Sequence, residues 1–310
     1  MIFTFTANPS VDYHMDLNKS GFIPGEINRS DGEELFPGGK GLNVSIVLSR
    51  LGIDNIALGF LAGKTGNMLK ALITEYGCKS DFICLSRGEN RINVKLDCDK
   101  ETAINGKGPE IDEAAVKSLL KKAEELDKED TLILSGNLPK EKIHLYEQLA
   151  EICVRRGAGL IVDAEGRSLR STFRYRPFLI KPNKEELMNL FCEEDDSASS
   201  IIDLMKRCQA EGVMNVLTTL GKEGAVFLSQ SGELYQARIT ENVQVVSTVG
   251  AGDSTIAGFL AGLKIYENRI EYALRLACAA GTATSCRKWL CEESEVKQMI
   301  ERVEVSRCQI

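Results

Sequence analysis

The chain has 310 residues, of which 43% are hydrophobic and 27% are charged, proportions that are typical of a globular protein with a substantial core. Its formal net charge of -7 leaves no broad basic surface for nucleic acid or an anionic membrane, and no apolar run reaches the length of a membrane-spanning helix. Ten scattered cysteines without a Cys-x-x-Cys pair, and only two histidines, argue against a zinc site. The N-terminal residues are typical of a strand rather than a signal peptide, so we expect a cytoplasmic protein with reduced thiols.

Short apolar strands alternate with amphipathic helices along most of the chain. Strands are predicted at residues 2–6, 56–60, 131–135, 160–163, 178–181, 216–219 and 225–228. Helices are predicted at 40–51, 66–76, 112–126, 141–156, 184–190, 200–211 and 255–264, and the chain after Asp253 is expected to be mainly helical to its end. Continuous apolar runs such as Leu132-Ile133-Leu134 predict strands that are buried on both faces of a parallel sheet. We therefore predict a three-layer α/β fold, in a single domain over residues 1–310.

Two polar segments, at about residues 11–36 and 87–108, interrupt this alternation. The second contains Ile92-Asn93-Val94-Lys95-Leu96-Asp97, in which apolar and polar residues alternate as they do in a half-buried strand. Such segments can pair into a small sheet beside the main one, or they can be ordinary surface loops. Their length and strand-like content favour a small β lid that covers a site.

A glycine-rich turn opens the helix predicted at 255–264, in the stretch Val249-Gly-Ala-Gly-Asp-Ser254. The N-terminus of a helix carries unpaired N–H groups and about half a positive charge, and Gly250 and Gly252 let an anion approach the backbone closely. Asp253 would repel a phosphate there unless it takes a proton from an attacking hydroxyl. The turn therefore indicates phosphoryl transfer to an alcohol, although a plain turn with a helix cap is the more common explanation of this motif taken alone.

Two further motifs favour a polyol ligand that carries an anionic group. Pro37-Gly-Gly-Lys-Gly-Leu-Asn43 combines a backbone cradle with a cation and an amide on one helical face; its alternative is a loop with a solvated lysine. Asn8-Pro-Ser-Val-Asp12 follows the first strand, where parallel α/β sheets bind ligands, and Asp12 can accept hydrogen bonds from sugar hydroxyls. An Asx turn is the alternative for Asp12.

Three other stretches resemble known functional motifs, but their spacing or sequence context excludes each of those functions. Gly59 and Gly63 are one residue too close for a Walker A loop, and Gly250-x-Gly252 lacks the third glycine of a dinucleotide fingerprint. Ser135, His144 and Asp163 lack the Gly-x-Ser-x-Gly turn of a hydrolase triad.

Nine motifs follow one another along nearly the whole chain: Asn8–Asp12, Ile27–Arg29, Pro37–Asn43, Asn90–Lys95, Ile104–Pro109, Leu134–Pro139, Ile180–Leu187, Thr219–Ala225 and Val249–Ser254. In type and in order they resemble the motifs of the ribokinase-like (pfkB) family of carbohydrate kinases. Asn137, where a serine is usual, and Thr255-Ile256 after the glycine turn are mild departures.

This resemblance implies a three-layer ribokinase-like fold and a role for each matching residue. Asp253 would be the general base, and the backbone of Gly250, Ala251 and Gly252 would form an anion hole. The residues implied in sugar binding are Asp12, Gly38, Gly39 and Asn43, and those implied in binding a phosphate already on the sugar are Arg29, Lys40, Arg91 and Ser135.

The resemblance also implies ATP and Mg²⁺ as cofactors. Asn183 and Glu186 would organise the magnesium ion, largely through water, although the first turn of a helix also favours an acidic residue. Thr219, Gly221 and Gly224 would line the ATP site. Gly281 belongs to a run of small residues expected near the adenine, a run that close helix packing also explains.

The cations Arg29, Lys40 and Arg91 favour a kinase for phosphosugars over one for neutral sugars. Each charge-assisted hydrogen bond to a phosphate contributes roughly 1.5–3 kcal/mol to binding, and a neutral sugar forms none of them. Within the phosphosugars, the resemblance implies phosphorylation of fructose 1-phosphate at its 6-hydroxyl, with phosphorylation of tagatose 6-phosphate at its 1-hydroxyl as the alternative. A non-catalytic sugar-phosphate sensor is the alternative of a different class, and Asp253 argues against it. The resemblance further implies a homodimer formed through the lid; we expect no nucleic-acid or membrane partner.

Overall fold

The computed structural model describes residues 1–17, 21–98, 102–139 and 142–308. Its strands fall into a large sheet and a small one. In chain order the strands are β1 (Ile2–Thr6), β2 (Ser10–Asp16), β3 (Gly32–Gly38), β4 (Asn55–Leu61), β5 (Ile83–Cys84), β6 (Arg91–Asp97), β7 (Thr102–Asn105), β8 (Thr131–Ser135), β9 (Gly159–Asp163), β10 (Leu179–Ile180), β11 (Asn215–Thr219), β12 (Ala225–Leu228), β13 (Leu234–Ile239) and β14 (Val303–Cys308).

Helices connect most of the parallel strands. In chain order they are α1 (Lys40–Arg50), α2 (Gly63–Glu75), α3 (Glu113–Ala123), α4 (Leu145–Arg156), α5 (Gly166–Arg170), α6 (Lys184–Phe191), α7 (Ala198–Ala210), α8 (Ala251–Ile265), α9 (Ile270–Ser285) and α10 (Glu293–Ile300). Within the described ranges, no helix is both long enough and apolar enough to cross a membrane.

The large sheet is mainly parallel, with the order β14-β13-β12-β11-β10-β9-β8-β1-β4-β5. Strands β5, β4, β1, β8, β9, β10 and β11 pair in parallel, and β11 to β14 pair as antiparallel neighbours. This arrangement confirms the predicted α/β class. It also brings the carboxyl ends of seven parallel strands to one edge, where α/β sheets bind ligands.

Both faces of the large sheet are covered, as the continuous apolar runs predict. On β8, Leu132 and Leu134 join one core cluster, whereas Ile133 points into the other. The first cluster also contains apolar residues of α3, α4, α6 and α7, and the second contains those of α1, α2, α8, α9 and α10. Successive side chains of a strand point to opposite faces, so an uninterrupted apolar strand is stable only between two helical layers.

The small sheet has the order β3-β2-β6-β7, and its strands fall almost entirely within the two predicted lid segments. Its two faces differ in polarity. Phe36, Asp12 and Asn93 form a cross-strand row on one face, which we call the inner face. The next row, on the outer face, is Leu35, Tyr13, Val94 and Ile104.

Aromatic stacking joins the small sheet to the segment that follows α9. The ring of Phe36 stacks on that of Trp289, with centroids 4.7 Å apart and planes inclined by 18°. The guanidinium of Arg50 lies 5.0 Å from the centroid of the Trp289 ring and donates hydrogen bonds to the carbonyls of Leu290 and Cys291. The small sheet is therefore held against the main body beside α1 and α9.

The structure differs from the sequence prediction at the C-terminal end. The chain after Asp253 contains α8, α9 and α10, as expected, but it ends in β14, which pairs with β13 at the edge of the large sheet. Neither strand was predicted. Val303-Glu304-Val305-Ser306 is a weak strand signal, because an edge strand exposes polar side chains and its stability comes from its neighbour. The predicted start of the helix at residue 141 lies outside the described residues.

Candidate active site

Four consecutive strands of the large sheet bring functional side chains to its carboxyl edge. Thr6 of β1 lies in register with Ser135 of β8, and Ser135 lies in register with Asp163 of β9. Lys181 follows directly after β10, beside Asp163. These residues come from widely separated parts of the chain, so the parallel sheet itself assembles the floor of the site.

The glycine-rich turn forms the N-terminus of α8 at this edge. Gly250 has φ +78°, a left-handed conformation that disfavours any other residue, and a Cβ there would lie 2.6 Å from a methyl group of Leu290. A Cβ on Gly252 would lie 3.0 Å from Nζ of Lys181. The N–H groups of Gly252 and Asp253 belong to the first turn, where a helix offers no carbonyl partner. The turn therefore leaves space and donors for an anion beside a lysine.

Asp253 is buried, with 6% of its surface exposed. Nδ2 of Asn43 donates a hydrogen bond to Oδ2 of Asp253, at 2.7 Å, which links the first turns of α1 and α8. Burial and the nearby charge of Asp163 raise the pKa of Asp253 to about 7, against the opposing effects of the Asn43 hydrogen bond and of Lys40 and Lys181. Because its pKa is raised, this carboxylate accepts a proton more readily than an ordinary aspartate does.

Lys40 lies among carboxylates. Its Nζ is 3.7 Å from both Asp163 and Glu165 and 3.8 Å from Glu186. Burial opposes the charge of Lys40, but the surrounding carboxylates outweigh burial and raise its pKa, so the ammonium group stays charged. The sequence assigned Lys40 to the phosphate of the sugar, which stays a prediction. Its neighbours also include Glu186, which the sequence assigned to the metal.

Lys181 has no role in the sequence prediction, and Asp163 enters it only as a member of the rejected hydrolase triad. Lys181 is only 4% exposed, and its Nζ lies 3.3 Å from Oδ1 of Asp163. Both carboxylate oxygens of Asp163 are buried without a hydrogen bond. The sequence does contain a signal for both residues, since each is a charged residue at the end of an apolar strand. In a parallel sheet this is the edge where ligands bind. His144 lies instead against Glu147, at 3.2 Å, in agreement with the rejection of a hydrolase triad.

Asp12, on the inner face of the small sheet, has a fixed orientation. Oγ of Ser10 and Nδ2 of Asn93 each donate a hydrogen bond to Oδ1 of Asp12, both at 2.7 Å. A Cβ on Gly38 would lie 2.5 Å from the Asp12 carboxylate, so only glycine allows this approach. Gly39, with φ +124°, then leads into α1.

The predicted phosphate-binding residues occupy different surroundings. Arg91 is half-buried beside the Asp12 row, and its Nε donates a hydrogen bond to the carbonyl of Asn8 at 3.1 Å. Burial lowers the pKa of Arg91, and Asp12 acts in the opposite direction. Ser135 is buried with no hydrogen-bond partner for Oγ, whereas Arg29 is exposed in the irregular stretch between β2 and β3. A shared phosphate pocket for these residues stays a prediction.

Asn183 and Glu186 form a capping box at the start of α6. Oδ1 of Asn183 accepts a hydrogen bond from the N–H of Glu186 at 2.7 Å, and Oε2 of Glu186 accepts one from the N–H of Asn183 at 2.8 Å. The helix-cap interpretation thus accounts for the motif, and Oε1 of Glu186 remains directed toward Lys40.

No group of three or more His, Cys, Asp or Glu residues in the described part of the chain is arranged to hold a metal ion. Mg²⁺ suits such a sparse site, because it keeps several waters and binds mainly phosphate oxygens. The buried oxygens of Asp163, which have no hydrogen-bond partner, and Oε1 of Glu186 are the atoms that fit a hydrated Mg²⁺.

The residues predicted to line the ATP site have clear packing roles. Thr219 ends β11 and donates its N–H to the carbonyl of Pro182 at 3.2 Å. Gly221 and Gly224 have φ of +60° and +88° in the turn between β11 and β12, where a Cβ on Gly224 would meet the carbonyl oxygen of Ala237 at 2.1 Å. A Cβ on Gly281 would lie 2.4 Å from Oγ1 of Thr255, so α8 and α9 pack closely there. Contact with ATP stays a prediction for all four.

The raised pKa of Asp253 predicts a stability effect that depends on pH. This pKa lies above the ordinary value of 3.8, so the folded state binds the proton more tightly than the unfolded chain, and that stabilisation is lost as the pH rises through about 7. We expect Asp253→Asn to raise the free energy of unfolding at about pH 8 by on the order of 2–4 kcal/mol, and by much less at about pH 5.

Urea denaturation of the ligand-free protein at both pH values measures this difference. Asp203→Asn is the matched control, because its side chain is 72% exposed and no such effect is expected. An identical gap between Asp253→Asn and the unsubstituted protein at the two pH values would contradict the electrostatic description of the site.

Comparison with known proteins identifies the family. The pfkB family carbohydrate kinase profile matches residues 6–295. The chain is 36% identical to the 1-phosphofructokinase of Bacillus subtilis, with 99% of this chain and 100% of the relative covered, and 34% identical to the D-tagatose-1-phosphate kinase of Bacillus licheniformis, with 99% of each covered. A crystal structure from Staphylococcus aureus, 35% identical, superposes with a TM-score of 0.87 over 100% of this chain and 99% of that one. The chain therefore belongs to the pfkB family of carbohydrate kinases and is itself a kinase.

Proposed function

We propose that this kinase transfers the γ-phosphoryl group of ATP to the 6-hydroxyl of fructose 1-phosphate, giving fructose 1,6-bisphosphate. The observation that carries the proposal is the buried Asp253 carboxylate at the N-terminus of α8, next to Lys181 and Lys40. The name of the Bacillus subtilis relative supplies the substrate. The proposed compartment is the cytoplasm, since all ten cysteines are free thiols.

Asp253 acts as the general base in this proposal. As the sugar oxygen attacks the γ-phosphorus, the O–H bond breaks and its proton passes to the Asp253 carboxylate. A bond forms between the sugar oxygen and phosphorus, and the bond from phosphorus to the β,γ-bridging oxygen breaks to release ADP. A well-placed base contributes roughly 10²- to 10⁴-fold to such a step.

The turn at Gly250, Ala251 and Gly252 stabilises the transferring group. Its N–H groups and the dipole of α8 favour negative charge at that point. Lys181 adds a buried positive charge beside Gly252. Because these groups are fixed before the substrate arrives, the site needs little reorganisation during transfer.

Mg²⁺ bound to the nucleotide would neutralise phosphate charge and orient the γ-phosphoryl group. Asp163, Asn183 and Glu186 would hold its water ligands. On the sugar side, Asp12, Gly38, Gly39 and Asn43 bind hydroxyls. The phosphate carried by the sugar is bound by Arg29, Lys40, Arg91 and Ser135.

Tagatose 1-phosphate is a second candidate substrate, favoured by the name of the Bacillus licheniformis relative. It carries its phosphate at the same position as fructose 1-phosphate and differs only in the configuration at C4. Tagatose 6-phosphate, phosphorylated at its 1-hydroxyl, is the third candidate substrate. The non-catalytic sensor is excluded, because the chain is a kinase.

A substrate panel tests the proposal. ADP release is measured with fructose 1-phosphate, tagatose 1-phosphate, tagatose 6-phosphate, fructose 6-phosphate and neutral fructose. We expect the highest kcat/KM with fructose 1-phosphate, and a value lower by about 10²- to 10⁵-fold with fructose, because the charge-assisted bonds to phosphate are lost. A higher kcat/KM with any other phosphosugar would contradict the substrate assignment, and no ADP release with any phosphosugar would contradict the assignment to phosphosugars as a class.

Arg91 is expected to bind the phosphate of the sugar. Arg91→Ala should raise KM for the phosphosugar by roughly 10- to 100-fold with a small effect on kcat, since one charge-assisted interaction is lost in both the ground and transition states. Arg91→Lys, which keeps the charge, should recover part of the loss. Arg87→Ala, at an exposed arginine in the preceding loop, is the control. An unchanged KM in Arg91→Ala would remove Arg91 from the pocket.

The outer face of the small sheet is the proposed homodimer interface. Leu35 and Ile104 are 38% and 60% exposed there, and Ile92, on the same face, is 45% exposed. An apolar sheet face of this kind is stabilised when a second copy covers it. Light scattering after size-exclusion chromatography should show a dimer, and Ile104→Glu should yield monomers, whereas Ile265→Glu on α8 should not. A monomer at micromolar concentration without substitution would contradict this interface.

A further inference from the structure

Asn93 lies at the centre of the inner face of the small sheet, between Asp12 of β2 and Asn105 of β7. It is 5% exposed, although it faces the polar side of the sheet. Its Nδ2 donates hydrogen bonds to Oδ1 of Asp12 at 2.7 Å and to Oγ of Ser10 at 3.0 Å. The family motifs drew attention to the segment but gave Asn93 no role.

These contacts fix one oxygen of Asp12 and leave the other available. Oδ1 of Asp12 accepts from both Asn93 and Ser10, and the carboxylate lies against the backbone of Gly38. Free rotation of an aspartate would present either oxygen in several directions. With Oδ1 held by two donors, Oδ2 is the acceptor that remains for a sugar hydroxyl.

We propose that Asn93 is a positioning residue that orients Asp12 for recognition of the sugar. The inference rests on the proposed function, because it assigns Asp12 to the sugar. Asn93 does not contact the reacting atoms in this account. It acts through Asp12, so its loss weakens substrate binding and leaves the phosphoryl-transfer step nearly unchanged. An amide suits the position because its N–H groups donate to a carboxylate, whereas a second carboxylate would repel it.

Steady-state kinetics of Asn93→Ala and Asn93→Asp test this role, with the phosphosugar that the unsubstituted enzyme uses best. We expect KM to rise by roughly 10-fold in Asn93→Ala and further in Asn93→Asp, with kcat within about twofold in both. Asn93→Asp keeps the shape of the side chain, so a purely structural role predicts the milder effect for it. Asn105→Ala, the neighbouring and exposed asparagine of the same row, is the matched control and should change KM by less than about twofold.

A double-mutant cycle with Asp12→Asn tests whether the effect passes through Asp12. If it does, adding Asn93→Ala to Asp12→Asn should raise KM by less than about twofold. Circular dichroism and thermal unfolding check that each variant is folded, and isothermal titration with fructose 1-phosphate gives binding without turnover. A normal KM in Asn93→Ala, or multiplicative effects in the cycle, would overturn the positioning role alone. Failure of the unsubstituted enzyme to bind or phosphorylate any phosphosugar would overturn the proposed function, and this inference with it.

Discussion

The hydrogen bond from Asn43 to Asp253 is the interaction on which the site depends. It joins the first turns of two helices that are far apart in the chain, and it holds a carboxylate in a place where burial and Asp163 both oppose its charge. Lys40 and Lys181 limit that cost by electrostatic attraction. The fold thus maintains a basic carboxylate at the positive end of the α8 dipole, an arrangement that is unfavourable for stability and that suits the proton transfer of the proposed function.

The large and small sheets contribute different groups of residues to the candidate site. The carboxyl edge of the large sheet supplies the charged floor and the helix N-terminus, where phosphoryl chemistry is proposed. The inner face of the small sheet supplies Asp12 and Arg91, which face the sugar in the proposed function. The stack of Phe36 on Trp289 ties the two parts together close to Leu290, which packs against Gly250. The small sheet is therefore connected, through Trp289 and Leu290, to the glycine turn that opens α8.

The sequence predicted the helices and strands that have a clear hydrophobic pattern of their own. Strand 131–135 was predicted to the residue, because an apolar run buried between two helical layers has few alternatives. β14 was missed because its stability comes from pairing with β13 rather than from its own residues. Asn183 caps α6, and its assignment to the metal stays a prediction. Lys181 and Asn93 were missed because their neighbours lie on distant strands, and only the folded chain brings them together.

Pre-steady-state and steady-state kinetics of Asp253→Asn test the role of Asp253 as the base. The substitution keeps the shape of the side chain and an acceptor for Asn43 but removes the base. We expect kcat to fall by at least about 10²-fold, while the dissociation constant of the phosphosugar, measured by titration calorimetry, changes by less than about threefold. Turnover close to that of the unsubstituted enzyme would contradict this role, because the proton would then leave by a route that does not involve Asp253.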